Sequence, residues 1–179
     1  GLKQFDAAVP LLNKALTRVS NDREMAYYLG VAERALGRGR RAEVNWEMAQ
    51  QYGPYAGASD FNLAALAWKS GPKNEAIDRL ADAIENQPDA VRAGGAYIAL
   101  LRASGQPEKA RVALAAWRAA DPTNSLLRVE AVRLGAADAT LWSHLAADPE
   151  RVLEMVVDYM RFGLYGDAID LLSRSYPRG

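Results

Sequence analysis

A chain of 179 residues with 22 basic and 22 acidic side chains, one histidine and no cysteine has no net field to steer it onto nucleic acid, an anionic membrane or a polyanionic substrate. Without cysteine there are no disulfides, thiolate metal sites or thiol nucleophiles, and either redox compartment is compatible. The longest apolar run, near residues 94–101, falls well short of the roughly 20 residues that cross a bilayer, so no membrane insertion is expected.

Residues 1–20 form the first expected helix, with Ala8, Leu12 and Ala15 on one side. That pattern then repeats. Ala42, Ala76 and Ala110 follow Ala8 in steps of 34 residues, and Trp46, Leu80 and Leu114 follow Leu12 in the same step. Gly37, Gly71 and Gly105 keep the interval, as do Pro54, Pro88 and Pro122. A fixed period between about 20 and 50 residues marks a solenoid, whose units bury their apolar faces only against their neighbours. Three regular units are expected, at 23–56, 57–90 and 91–124, each a pair of amphipathic helices around a glycine-bearing turn. In the second unit Phe61, Leu63, Leu66 and Ala67 share a helical spacing, Ser70-Gly71-Pro72 interrupts it, and Ile77, Leu80, Ala83 and Ile84 resume it. Proline is tolerated at a helix start because its missing N–H would have no partner there, and it pushes the preceding residue out of the helical region, so Gln87-Pro88 should close this hairpin.

After Pro122 the rhythm slips. A helix over 124–134 arrives on schedule, but His144 stands where the next alanine is due, and the next match is Ala168. Residues 125–148 therefore form a shortened unit, with Gly135 as a helix stop and Asp138 as the cap of a stub helix through Leu141, Trp142 and Leu145. Asp148-Pro149 opens a last hairpin over 149–179.

The stretch from Phe61 to Gly71, followed by Ala76, Leu80, Ala83 and Pro88, resembles the tetratricopeptide repeat almost slot for slot; so does Tyr28-Leu29-Gly30 with Ala42, Trp46, Ala49 and Pro54, and Tyr159, Gly163, Tyr165, Ala168 and Leu172 near the end. The resemblance implies an all-α, right-handed superhelix of antiparallel helix hairpins, an α-solenoid of about eleven helices running through 1–179. Residues 1–20 are then the second helix of a truncated repeat. The chain is expected to be a piece of a larger bacterial protein, in keeping with its 17 arginines to 5 lysines. Residues 141–177 are also similar to large bacterial proteins in which such repeats follow a carbohydrate-associated β domain.

In this family the first helix of each pair lines a concave groove, and the resemblance implies a peptide or protein partner there. The groove candidates are Tyr27, Val31, Arg34, Phe61, Asn62, Ala65, Trp68, Lys69, Arg92, Ala99 and Arg102. Arg34, Trp68 and Arg102 share one slot at 34-residue intervals, a possible ladder of the side chains that most often anchor interfaces. Equally, Trp68 packs between hairpins and both arginines are solvated. One subtype clamps the C-terminal carboxylate of heat-shock chaperones with two lysines, two asparagines and an arginine. Asn62 and Arg92 fall in two of those slots, but Tyr27, Val31 and Ala96 fill the rest, so the clamp is incomplete.

Gly94-Gly95 inside a helix costs about 0.8–1 kcal/mol per glycine relative to alanine, so something needs the space. Either the Trp117 indole fills it or a ligand backbone lies against Gly95. Gly37-Arg38-Gly39 has the glycine spacing of a dinucleotide loop but follows a helix rather than a strand; Arg38, Arg40 and Arg41 then form a solvated turn. His144 is expected to be a partly buried structural histidine, and Asp167 and Asp170 a carboxylate pair on a solvated helix. Together these readings make the chain a non-catalytic binding module without cofactor or metal. The rivals are a structural spacer or assembly arm in a larger multidomain protein, and an accessory segment of a carbohydrate-related enzyme. Partner identity, compartment and oligomeric state stay open.

Overall fold

The computed structural model describes residues 2–19, 22–51, 53–86 and 91–176. These residues fold into eleven α-helices, with no strand among them, and the chain divides into two compact units, Gly1–Asp89 and Ala90–Gly179. The expected hairpin end at Gln87 and Pro88, and Pro177, lie outside the described residues.

In the first unit α1 is Leu2–Arg18, α2 Arg23–Ala35, α3 Gly39–Ala49, α4 Gly53–Ser70 and α5 Lys73–Asn86. Each packs on the next, and the short turns between α2 and α3 and between α4 and α5 make those pairs antiparallel. Asp22 starts α2 by accepting the Met25 N–H at 3.1 Å, one of the four amides a helix start leaves without partners. Gly37 ends it with a φ of 75°. There the Arg38 N–H reaches Glu33 C=O and the Gly37 N–H reaches Arg34 C=O, the pair of bonds that closes a helix through a left-handed residue. Gly105, Gly135 and Gly163 repeat this closure in the second unit. Gly71 does not: its φ is not positive, and an added Cβ would stand 3.2 Å from the Ala67 carbonyl. Pro54 sits in the first turn of α4 rather than at the end of the preceding helix.

Packing follows side-chain volume. The Trp46 indole lies directly on Gly30, where a Cβ would come within 2.5 Å of Nε1, so the missing side chain of α2 makes room for the large one of α3. Around it, Ala42, Trp46 and Leu63 form a buried cluster onto which Tyr27, Val31 and Leu66 pack. Helix α4 is buried nearly all round, including Phe61, Asn62, Leu63, Ala64, Ala65 and Trp68, as expected of a helix flanked by others on several sides.

In the second unit α6 is Val91–Ala103, α7 Pro107–Ala120, α8 Ser125–Arg133, α9 Leu141–Ala146, α10 Pro149–Arg161 and α11 Tyr165–Ser173. The pairs α6–α7 and α10–α11 pack side by side. Stub helix α9 supplies Leu141 and Leu145 to a core shared with Ala99, Val129, Met155, Val156, Tyr159 and Leu171, so this short helix is anchored by apolar burial. Its start differs from expectation. Asp138 is not the cap: the cap position is Thr140, and the Asp138 carboxylate accepts two bonds from Arg128 at 2.8 Å and one from the Thr140 N–H. Those Arg128 bonds, opposed by partial burial, hold the Asp138 carboxyl down to about 2.

The Gly94 question is settled by contact. A Cβ on Gly94 would fall 2.3 Å from Cε2 of Trp117, so the indole of α7 occupies the space α6 leaves. The place beside Gly95 is taken by Leu126, whose Cδ2 would be 2.3 Å from an added Cβ. A Gly94→Ala variant gains about 1 kcal/mol of helix propensity, yet the rigid ring cannot withdraw as a flexible chain end would. Net destabilisation of about 1–3 kcal/mol is expected, measurable by chemical unfolding and relieved by a second change, Trp117→Leu. A more stable Gly94→Ala protein would show that the contact is soft.

Candidate docking surface

Within the second unit an open cleft of about 710 Å³ runs between α6, the start of α8, and α10. Local chemistry builds each wall. Asn124 caps α8 through bonds from the Leu126 and Leu127 amides, presenting Asn124 and Leu126 at the rim. Asp148 caps α10 ahead of Pro149 by accepting the Arg151 N–H at 3.2 Å, which projects Glu150, Leu153, Glu154 and Val157 along the opposite wall. Arg92 of α6 spans to α10, its Nε donating to both Asp158 oxygens at 3.0 and 2.8 Å. Leu153 and Val157, one helical turn apart, are 55% and 52% exposed.

Beside the cleft lies a chain of charges, buried at Glu130 and half-exposed at its far end. Glu130 of α8 is fully buried and accepts from Arg102 Nε at 2.8 Å and from the Tyr159 hydroxyl at 2.5 Å. Arg102 also donates to Asp167 at 2.8 Å; Asp167 in turn receives Arg133, which reaches on to Asp170 at 3.1 Å. Asp170 completes the chain with Arg174. Three cations thus alternate with three anions across α6, α8, α11 and Arg174 just after it. Burial works against the Arg102 charge, but the bonds and charges of Glu130 and Asp167 outweigh it and hold the guanidinium protonated. Burial, and then the Glu130 charge, push the Tyr159 phenol well above its ordinary value.

The predicted groove residues meet different fates. Phe61, Asn62, Ala65, Trp68 and Ala99 are buried; Asn62 donates to the Ala58 carbonyl at 2.8 Å, and the Lys73 ammonium sits 4.5 Å from the centre of a Trp68 ring. Tyr27 and Val31 are partly buried against the Trp46 cluster. Lys69 is exposed and Arg34 intermediate. Arg92 lines the cleft, and Arg102 is only 18% exposed in the charge chain. In place of an exposed ladder, the Trp68 slot is filled by a core residue and the Arg102 slot by an internal ion pair. Leu153, Glu154 and Val157 escaped sequence reasoning because the 34-residue register is lost after Pro122; the aliphatic spacing of Leu153 and Val157 was the available signal.

Other expectations change too. Asp167 and Asp170 are not a solvated pair but bind arginines. Arg38 is not free at its turn: it bonds Asp6 and Glu33, each at 3.2 Å, although the helix expected before it is there. His144 is exposed. Among the described residues no group of three or more His, Asp or Glu is placed to hold a metal, and no helix is long and apolar enough to cross a membrane.

In the first unit, Tyr27, Tyr28 and Tyr55 gather, with the Tyr27 and Tyr55 rings stacked at 5.3 Å and Tyr28 edge-on to Tyr27 at 5.4 Å. A hydrogen bond to Glu24 raises the Tyr55 phenol to about 12, so it remains a neutral donor at any physiological pH.

No protein-family model matches the chain, and no curated protein is similar enough to count as a relative.

Proposed function

We propose that this chain is a tetratricopeptide-type solenoid that docks a peptide or protein segment on the faces of its first helices, without catalysis. The observation that carries the reading is the second unit's cleft: its walls are α6, α8 and α10, the first helices of three successive repeats in the sequence register, and it exposes Leu153 and Val157. Half-exposed aliphatic residues on the wall of a concavity suit a partner that covers them. The 34-residue alanine register, the antiparallel pairs and the glycine–indole contacts at Gly30 and Gly94 support the repeat assignment.

Affinity capture with mass spectrometry, comparing the native chain with a Val157→Asp variant, tests it. Proteins retained by the native chain and depleted about tenfold or more by the variant, a loss of hot-spot size, are the expected result. A capture profile unchanged by Val157→Asp, at unchanged helicity, overturns the assignment of the cleft.

A second reading, an assembly arm, is favoured by α11, where Ile169 and Leu172 are 60% and 56% exposed near one face. An Ile169→Asp/Leu172→Asp variant that lowers the native mass in light scattering would favour that role.

A further inference from the structure

We propose that the segment received by the cleft of α6, α8 and α10 is basic and amphipathic, carrying lysine or arginine beside its apolar anchors. This rests on the docking reading above and names the chemistry of its partner. The apolar part is set by Leu153 and Val157, which ask for aliphatic or aromatic side chains to exclude water from them. The charge follows from which ionised groups of the cleft are already neutralised.

The lining holds two cations, Arg92 and Arg151, and three anions, Glu150, Glu154 and Asp158. Arg92 is committed to Asp158 through both carboxylate oxygens. Arg151 is committed to Asp148, at 2.9 Å from its Nε. Asp148 therefore neutralises a lining cation from outside the lining, and the balance tips to the acidic side. Glu150 and Glu154 remain, both exposed and both without an ion pair among the described residues; Glu154 is felt by Arg151 only as a more distant charge. Their four-residue spacing places them on one face of α10, where like charges repel. A cation seated between them relieves that repulsion, whereas a partner carboxylate adds to it. Leu153 and Val157, also four residues apart, interleave with the same pair along the helix. The wall thus alternates acidic and aliphatic positions, matching the basic and apolar faces of an amphipathic segment.

The first unit, taken by itself, shows similar chemistry on α2 and the start of α4. Glu24 accepts from the Tyr55 hydroxyl, whose ring gathers with those of Tyr27 and Tyr28, and aromatic faces next to a carboxylate favour ammonium or guanidinium groups over anions.

The test is selection of phage-displayed random peptides on the full chain, followed by affinity measurement of a selected synthetic peptide against the native chain, Glu150→Gln/Glu154→Gln and Val157→Asp. Thermal melting of each variant confirms that it folds. The expected result is enrichment of peptides with lysine or arginine near Leu, Met or Phe. Their affinity should fall about threefold to tenfold in the glutamine variant, fall further in Val157→Asp, and weaken with added salt. Enrichment of neutral or acidic peptides that still lose affinity in Val157→Asp overturns the basic partner and leaves the docking reading standing. Basic peptides indifferent to both variants bind elsewhere and overturn the proposal. Failure to enrich any peptide that depends on Val157 overturns the proposal together with the docking reading.

Discussion

Glu130→Ala is expected to destabilise the chain by about 3–5 kcal/mol, the loss typical when one member of a buried charge pair is removed and the other is left in place. Glu130 is fully buried and its two oxygens satisfy both the Arg102 guanidinium and the Tyr159 hydroxyl. Alanine takes away both acceptors and leaves a cavity. Arg102 keeps Asp167 at 2.8 Å, which places the expected loss toward the lower end of that range; the Tyr159 hydroxyl keeps nothing comparable. Urea unfolding followed by circular dichroism measures the effect, and a loss below about 1 kcal/mol, the scale of a solvated pair, would mean that water reaches Glu130. The same network ties stability to alkaline pH. Because the Tyr159 phenol is raised in the native state, its contribution is fully present below about 10, the ordinary tyrosine value, and is lost as pH climbs through the raised native value. Tyr159→Phe should remove that part of the alkaline decline.

Trp68→Ala is expected to cost about 3–5 kcal/mol, the range for deleting a large aromatic from a core. The side chain is 6% exposed on a helix buried nearly all round, and the Lys73 ammonium over its ring adds a cation–π contact. Position alone left Trp68 as a docking anchor or, the favoured reading, a packing residue; its burial agrees with the second. The distinguishing measurement pairs the unfolding midpoint with partner affinity. A variant that keeps its midpoint and loses only binding returns Trp68 to the surface, while a large midpoint shift places it in the core.

Much of the helical layout was legible in the sequence. Gly37, Gly105, Gly135 and Gly163 each end a helix in a left-handed conformation, a role glycine fills because it lacks the Cβ that opposes positive φ. Pairing Gly94 with Trp117 also followed from the register, since a large residue in a normally small slot needs a vacancy opposite it. Gly71 shows the limit of the same logic: identical spacing, but a turn that does not use the left-handed region. The candidate docking surface was less legible. Arg102 and Asp167 stand 65 residues apart and Arg102 and Glu130 stand 28 apart, neither separation being a multiple of the repeat, so nothing in the periodicity pairs them. The cleft wall on α10 was hidden for a related reason, because the 34-residue spacing that located the other groove candidates fails after Pro122.

Periodicity is local information. Spacings of three and four residues, a glycine at a turn and an alanine every 34 positions suffice to specify the helices and most of their buried faces, because backbone hydrogen bonding and apolar burial act over one or two turns of chain. The availability of a charge is settled at longer range. Arg102 becomes an internal cation, and Glu150 and Glu154 become the exposed charges of the cleft, only once distant helices bring or withhold a counter-charge, since an ion pair depends on separation in space and not along the chain.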